Sequence, residues 1–254
     1  MGTALTTDAS GRPYRDVSLW FDQVGDDVVA RPGLVGDAEA DVVVVGAGLT
    51  GLWTAYYLTE ADPGLEVVVV EQETAGYGAS GRNGGWCSAL FPVAAASVAR
   101  RHGEPAARAL RAAMRDTVVE VGGVAAAEGI DCDFRVAGRF HAAHSPNQYE
   151  LLTRQAANQP KGLELPVEVV PRAEQHRELG TDAYFGGVVF TRHAAVDPAR
   201  YHRGLLDRVR AAAGLGHVLD IDVKTVKSRL FEARQRLRVL LSDLRAPAGA
   251  VAAK

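Results

Sequence analysis

An α/β fold built on a parallel sheet is what this sequence predicts, on three observations. The run DVVVV, residues 41–45, is continuous in valine, as a strand buried on both faces of a parallel sheet is. The glycine turn GAGLTG follows at once and opens a helical stretch, residues 49–59. A second valine run, EVVVVE at residues 66–71, comes about twenty residues after the turn and ends on an acid. Strand, helix and parallel strand need a crossover connection, which buries both strands in a doubly wound sheet.

The rest of the chain is read around that unit. Residues 1–40 are polar and rich in Gly, Pro and Asp, with Trp20 and Phe21 as their bulky anchor. They read as an arm that docks late on the domain, or as a partly ordered leader. Residues 41–92 form the core built on that strand–helix–strand unit. Beyond Pro92 the sequence turns alanine-rich and helical; residues 104–128 are the longest candidate helix, weakened near the end by Gly122 and Gly123. Strand-like stretches at 133–142 and 183–191 alternate apolar and polar residues, as in a sheet wet on one face. Helical stretches at 148–157 and 172–179 lie between them, so 93–196 reads as part of a second, α+β substrate domain. Asp197-Pro198 opens a helix at 199–213, with proline at a favourable early position. Residues 197–216 are thus a return helix to the first domain, and 217–254 a basic tail.

Composition excludes several classes. A chain of 254 residues, 47% hydrophobic and 23% charged, is globular and long enough to bury a core. Its formal net charge of -3 argues against polyanion binding through overall charge, leaving only local patches. Two cysteines, Cys87 and Cys132, make neither a disulfide framework nor a metal-ligand spacing, so no metal is expected. No charged-then-apolar leader precedes the first element, and the expected compartment is the reducing cytoplasm. The apolar runs are too short to cross a bilayer, so no membrane partner is expected.

The chemistry sits in the turn. Gly46-Ala47-Gly48-Leu49-Thr50-Gly51 is GxGxxG between a strand and a helix. Gly46 allows the tight turn, Gly48 lets backbone approach a pyrophosphate, and Gly51 lets helix pack close on strand. Backbone N–H groups at the helix start, Thr50 in its first turn, face the phosphate charge with the positive end of the helix dipole. Glu71, with Gln72 beside it, stands where a carboxylate accepts the hydroxyls of an adenosine ribose and repels a 2′-phosphate. That leaves NAD and FAD. A second run of small residues, Gly76-Tyr77-Gly78-Ala79-Ser80-Gly81-Arg82-Asn83-Gly84-Gly85, suggests backbone brought against a longer ligand, which FAD is.

Taken together, DVVVVGAGLTGL, VVVVE and GASGRNGG resemble the N-terminal half of the FAD-dependent D-amino-acid oxidase superfamily. The leader SLWFD and the form SGRNGG are most similar to its gamma-glutamylputrescine oxidase branch. The resemblance covers about residues 18–214 and implies a Rossmann-like FAD-binding domain with part of a substrate domain. It implies that Gly46, Gly48 and Gly51 line the diphosphate, that Glu71 holds the ribose, and that Ser80, Asn83, Gly84 and Gly85 approach the pyrophosphate and flavin. Arg82 either stabilises charge on reduced flavin or pairs with phosphate. Cys87 lies close to this run, where a small buried thiol is its ordinary role. Family chemistry is hydride transfer from an amine-bearing carbon of a small amine or amino acid to flavin, with oxygen as acceptor. The residues themselves nominate no catalytic group; His141, His144, Arg192 and His193 read as ordinary strand residues. Oligomeric state stays open.

After residue 213 the resemblance breaks, and the late family segment that closes over the flavin is not found. A truncated oxidase, or a non-catalytic FAD-binding remnant, is therefore expected. The segment 218–241 resembles the DNA-binding region four of bacterial sigma factors. Val226, Leu230, Ala233, Leu237 and Leu240 form an apolar seam on a strongly basic helix. Thr225, Lys227, Ser228 and Arg229 would be the set that contacts a major groove, so DNA enters as a partner only through this tail. The alternative is that residues 217–226, alternating polar and apolar, form a strand beside the adenine, with the basic helix packed on the domain.

Overall fold

The computed structural model describes residues 6–25, 28–30, 36, 37, 39–212 and 218–220. In chain order its elements are α1 (Leu19–Val24), β1 (Val42–Val45), α2 (Leu49–Ala61), β2 (Val67–Glu71), β3 (Trp86–Ser88), α3 (Ala95–His102) and α4 (Glu104–Ala127), then β4 (Arg135–Val136), β5 (Arg139–Ala142), α5 (Pro146–Ala157), β6 (Val167–Val170), β7 (Gly187–Phe190), β8 (His193–Ala195), α6 (Pro198–Ala212) and β9 (Val218–Asp220). Contacts divide the chain into two compact units, residues 1–80 with 206–254, and residues 81–205.

In the first unit the valine runs pair as a parallel sheet in the order β1-β2-β9. Val42 faces Val67 and Val45 faces Val70; Val69 faces Val218 and Glu71 faces Asp220. Leu52, Ala55, Tyr56 and Thr59 of α2 are buried at steps of three, one and three, the stripe of a helix lying on a sheet. Full burial of a side chain such as Leu52 stabilises by about 2 kcal/mol. β2 is central, and Val67, Val68, Val69 and Val70 are all buried. β1 departs from the expectation that both strands are buried: Val43 and Val45 are 56% and 54% exposed. The reason is position, since β1 lies at the sheet edge and α2 covers only one of its faces.

The arm docks on the loop after β2. Tyr14 and Phe21 are buried, while Trp20 is only half-buried. The Tyr14 hydroxyl donates to Glu73 Oε2 at 3.1 Å, its ring meets Tyr77 edge-on, and the Tyr77 hydroxyl donates to Asp8 Oδ2 at 3.0 Å. Tyr14 rather than Trp20 is the buried anchor beside Phe21, because its phenol has both an apolar body and a hydrogen-bonding hydroxyl.

The second unit carries two antiparallel sheets, β3-β8-β4 and β5-β7-β6. The single strand expected at 133–142 is two strands in different sheets, divided at Gly138, whose φ is +51°. The strand expected at 183–191 is shorter, and residues 172–177 form a 3₁₀ turn where a helix was expected. Helix α4 runs through Gly122 and Gly123; the Phe134 ring fills the space at Gly122, where a Cβ would stand 2.4 Å from it. Asp197 Oδ1 caps α6, accepting from the N–H groups of Ala199 and Arg200 at 3.0 Å each. Of the tail, Val218–Asp220 is a strand beside β2, as the strand alternative requires. Thr225, Lys227, Ser228, Arg229 and the basic helix lie outside the described residues. Among the described residues no helix is long and apolar enough to cross a membrane.

Candidate functional site

The glycine turn is built as its sequence requires. Gly46 has φ +101°, and its N–H donates to Val70 O at 2.7 Å, tying the turn to the central strand. A Cβ on Gly51 would stand 1.9 Å from Gly46 O, closer than any atom tolerates, so α2 can start against the turn only with glycine there. A Cβ on Gly48 would meet Ser80 Oγ at 3.0 Å. Gly48 occupies the N-cap position of α2 and has no side chain to cap it. Ser80, thirty-one residues beyond Leu49, supplies the acceptor: the Leu49 N–H donates to Ser80 Oγ at 2.9 Å. Thr50 is exposed in the first turn, and Ala47 is fully buried.

Glu71 closes the rim of the same turn. Its Oε2 accepts from the Ala47 N–H at 2.8 Å; its Oε1 accepts from Gln72 N at 2.8 Å and Glu73 N at 3.3 Å. A carboxylate offers about four acceptor positions, so these contacts leave Oε2 the better placed to take a ribose hydroxyl. Grip on both hydroxyls at once, expected from sequence, would need one of the backbone contacts to yield. The Gly76 N–H donates to Ala47 O at 3.1 Å and folds the second glycine-rich run back on the first. Gly46, Ala47, Gly48, Gly51, Glu71 and Ser80 are therefore one connected constellation, with Thr50 and Gln72 on its border. Bare backbone, a helix N-terminus and an adjacent acid fit a dinucleotide diphosphate.

The remaining candidates belong to the second unit. Arg82, Asn83 and Gly84 are exposed. Asn83 Oδ1 accepts from the Gly85 N–H at 2.8 Å. Gly85 is buried with φ +71°, and a Cβ on it would lie 2.4 Å from Val196 O. The close pass of residue 196 by itself accounts for glycine at this position.

Burial, then the neighbouring Cys132, pushes the Cys87 thiol up to about 11, which leaves it a poor nucleophile at neutral pH. His193 is buried, its Nδ1 without a hydrogen bond; burial first and Arg139 second hold its pKa below the ordinary histidine value. His141, His144 and Arg192 are exposed, His144 with its ring edge-on to Tyr184. Among the described residues no group of His, Cys, Asp and Glu could hold a metal.

A parallel sheet whose first turn is a glycine cradle, with an acid hydrogen-bonded to that cradle, defines a dinucleotide-binding protein. The profile of the DAO family, FAD-dependent oxidoreductases, matches residues 41–237, and the chain belongs to this family. FAD is the cofactor of that family, and the cradle fits it. The chain is 32% identical over 174 residues to gamma-glutamylputrescine oxidoreductase of Escherichia coli, covering 68% of this chain and 40% of the relative. It is 27% identical to a probable oxidoreductase of Haemophilus influenzae, covering 83% of this chain and 51% of the relative. Among solved structures, glycine oxidase from Geobacillus kaustophilus aligns with a TM-score of 0.52 and 23% identity, over 71% of this chain and 46% of the other. L-proline dehydrogenase from P. horikoshii aligns at 0.55 and 16%, over 73% and 45%. These structures share the fold. The chain spans about half the length, or less, of the proteins it matches.

Proposed function

We propose that the chain binds FAD through the constellation of Gly46, Gly48, Gly51, Glu71 and Ser80, in an oxidoreductase acting on the C–N bond of a small amine or amino acid. The observation that carries this is the Glu71 carboxylate, held at 2.8 Å by the Ala47 N–H on the lip of the glycine turn. One group thus positions both the turn that meets a diphosphate and the acid that meets its sugar. FAD, held by these residues, would supply a two-electron acceptor for oxidation of a C–N bond to an imine, with oxygen as the proposed final acceptor of the two electrons and two protons. The protein's part is binding and orientation. The N–H groups at the start of α2 neutralise phosphate charge, with the Ser80 hydroxyl turning from the Leu49 N–H toward a phosphate oxygen. Exposed Arg82, Asn83 and Gly84 are the residues proposed to approach the pyrophosphate and flavin. Two free thiols, one buried and one half-buried, suit the reducing cytoplasm we propose as its compartment.

The test is the visible spectrum of the purified protein after reconstitution with FAD. Flavin bands that survive gel filtration are expected, and their absence sinks the reading. Peroxide release on adding amines or amino acids then tests the chemistry. A second reading, FAD binding without turnover, is favoured by Val43 and Val45, which leave one face of the nucleotide sheet uncovered at β1. Flavin bands without peroxide, across amines and both enantiomers of amino acids, would select it.

A further inference from the structure

The second unit holds a recess that the flavin reading does not use. It lies between the loop at residues 89–94 and the facing sides of α3 and α4, and is open to solvent at its mouth. Its walls are apolar: Ala95 and Val98 from α3, Ala107, Leu110 and Met114 from α4, with Phe91 and Val93 half-exposed on the loop. One charged residue lines it, Arg111. Its Nη1 is buried and has no hydrogen-bond partner, and no carboxylate pairs with it among the described residues. Glu104, the acid in the first turn of α4, is already taken by Arg108 at 3.0 Å. A buried donor left unmade costs about 1–3 kcal/mol, more when charged, so such a group normally has a partner. Burial first, and then repulsion from Arg115 one turn further along α4, lowers the pKa of Arg111.

We infer that this recess is a binding site for a small organic carboxylate, with Arg111 as its anion contact and the walls of α3 and α4 enclosing an apolar body. A guanidinium fork matches a carboxylate with two parallel N–H donors. The lining holds no acid to receive an ammonium, and Arg115 disfavours one, so the ligand is a simple carboxylate rather than an amino acid. Inorganic phosphate would leave the apolar walls unmatched, and a neutral alcohol would leave the guanidinium without an anion.

The experiment is calorimetric titration of the full chain with hexanoate, norleucine, 1-hexanol and inorganic phosphate. Hexanoate is expected to bind saturably with a Kd below about 1 mM, and the other three at least about tenfold more weakly. Arg111→Met, which keeps the volume of the side chain, is expected to lose hexanoate binding by about tenfold or more. Arg108→Met, outside the lining, is expected to keep it. Hexanol or norleucine binding as tightly as hexanoate, equal losses in the two variants, or no saturable hexanoate binding would each overturn the inference. Should Arg111→Met not fold, Arg111→Lys with the four-ligand comparison on the unaltered chain decides it. The readout needs no flavin, so its failure is separate from failure of the FAD proposal.

Discussion

Two glycines of the cradle are bare for different reasons, and substitution separates them. Gly51→Ala drives a methyl to 1.9 Å from Gly46 O, a backbone atom that cannot step aside. We expect a loss of about 3 kcal/mol in a denaturant titration, with FAD retention lost alongside it. Gly48→Ala meets only the Ser80 hydroxyl, at 3.0 Å, which can rotate away. It is expected to keep most of the stability while FAD affinity falls at least about tenfold, because the methyl stands where a phosphate approaches. Glu71→Gln turns an amide NH₂ toward backbone N–H groups that now point at a carboxylate. A cost of about 1–3 kcal/mol is expected, read as weaker flavin binding and a lower midpoint. At His193 the sign is set by burial: the folded pKa is lowered from 6.5, so the unfolded chain binds the proton first. Stability is therefore full above about pH 6.5 and falls as pH drops through that value. His193→Gln should flatten this slope in thermal melts taken between pH 7.5 and about 5.

Element behaviour follows from where each end finds its partners. Helix α2 depends on a distant hydroxyl for its cap, so Ser80→Ala should destabilise the fold by about 1 kcal/mol and leave its helical content unchanged by circular dichroism. The arm is anchored by buried Tyr14 and Phe21, and an exposed carboxylate adds to its turn. The Ser10 hydroxyl, first among its contacts, with the N–H groups of Arg12 and Ser10 and the Tyr77 hydroxyl, lowers the Asp8 pKa from 3.8 to about 2. A depressed carboxylate contributes above its unfolded pKa and is lost as pH falls through the folded one. Asp8→Asn should therefore flatten the acid limb of thermal melts between about pH 3.8 and 2, while Tyr14 and Phe21 keep the arm docked at neutral pH. Much of this element scale was legible: GAGLTG, the acid that ends β2 and Asp197-Pro198 are local signals read from neighbouring residues. The short strands β3, β6 and β8 were not, because three or four residues carry too little pattern without the partner strand that selects them.

At the scale of the molecule, the uncovered side of β1 is the feature with the largest consequence. Val43 and Val45 together present an apolar edge that water or another surface must meet. Replacing both with lysine should reduce binding of a hydrophobic dye and concentration-dependent association, at little cost in melting temperature. The sequence by itself determined the class of this protein. Valine strands, a glycine turn and a ribose acid follow from local sterics and period, and any chain carrying them at this spacing folds the same unit. Tertiary structure decided what period cannot express. It made β1 an edge strand, called on Ser80 to cap α2, put Gly85 against residue 196 rather than leaving it bare for a ligand alone, and buried one nitrogen of Arg111 beside an apolar recess. Each of these depends on which residues, far apart in the chain, arrive at the same place, and that is settled by packing rather than by the neighbours of any one residue.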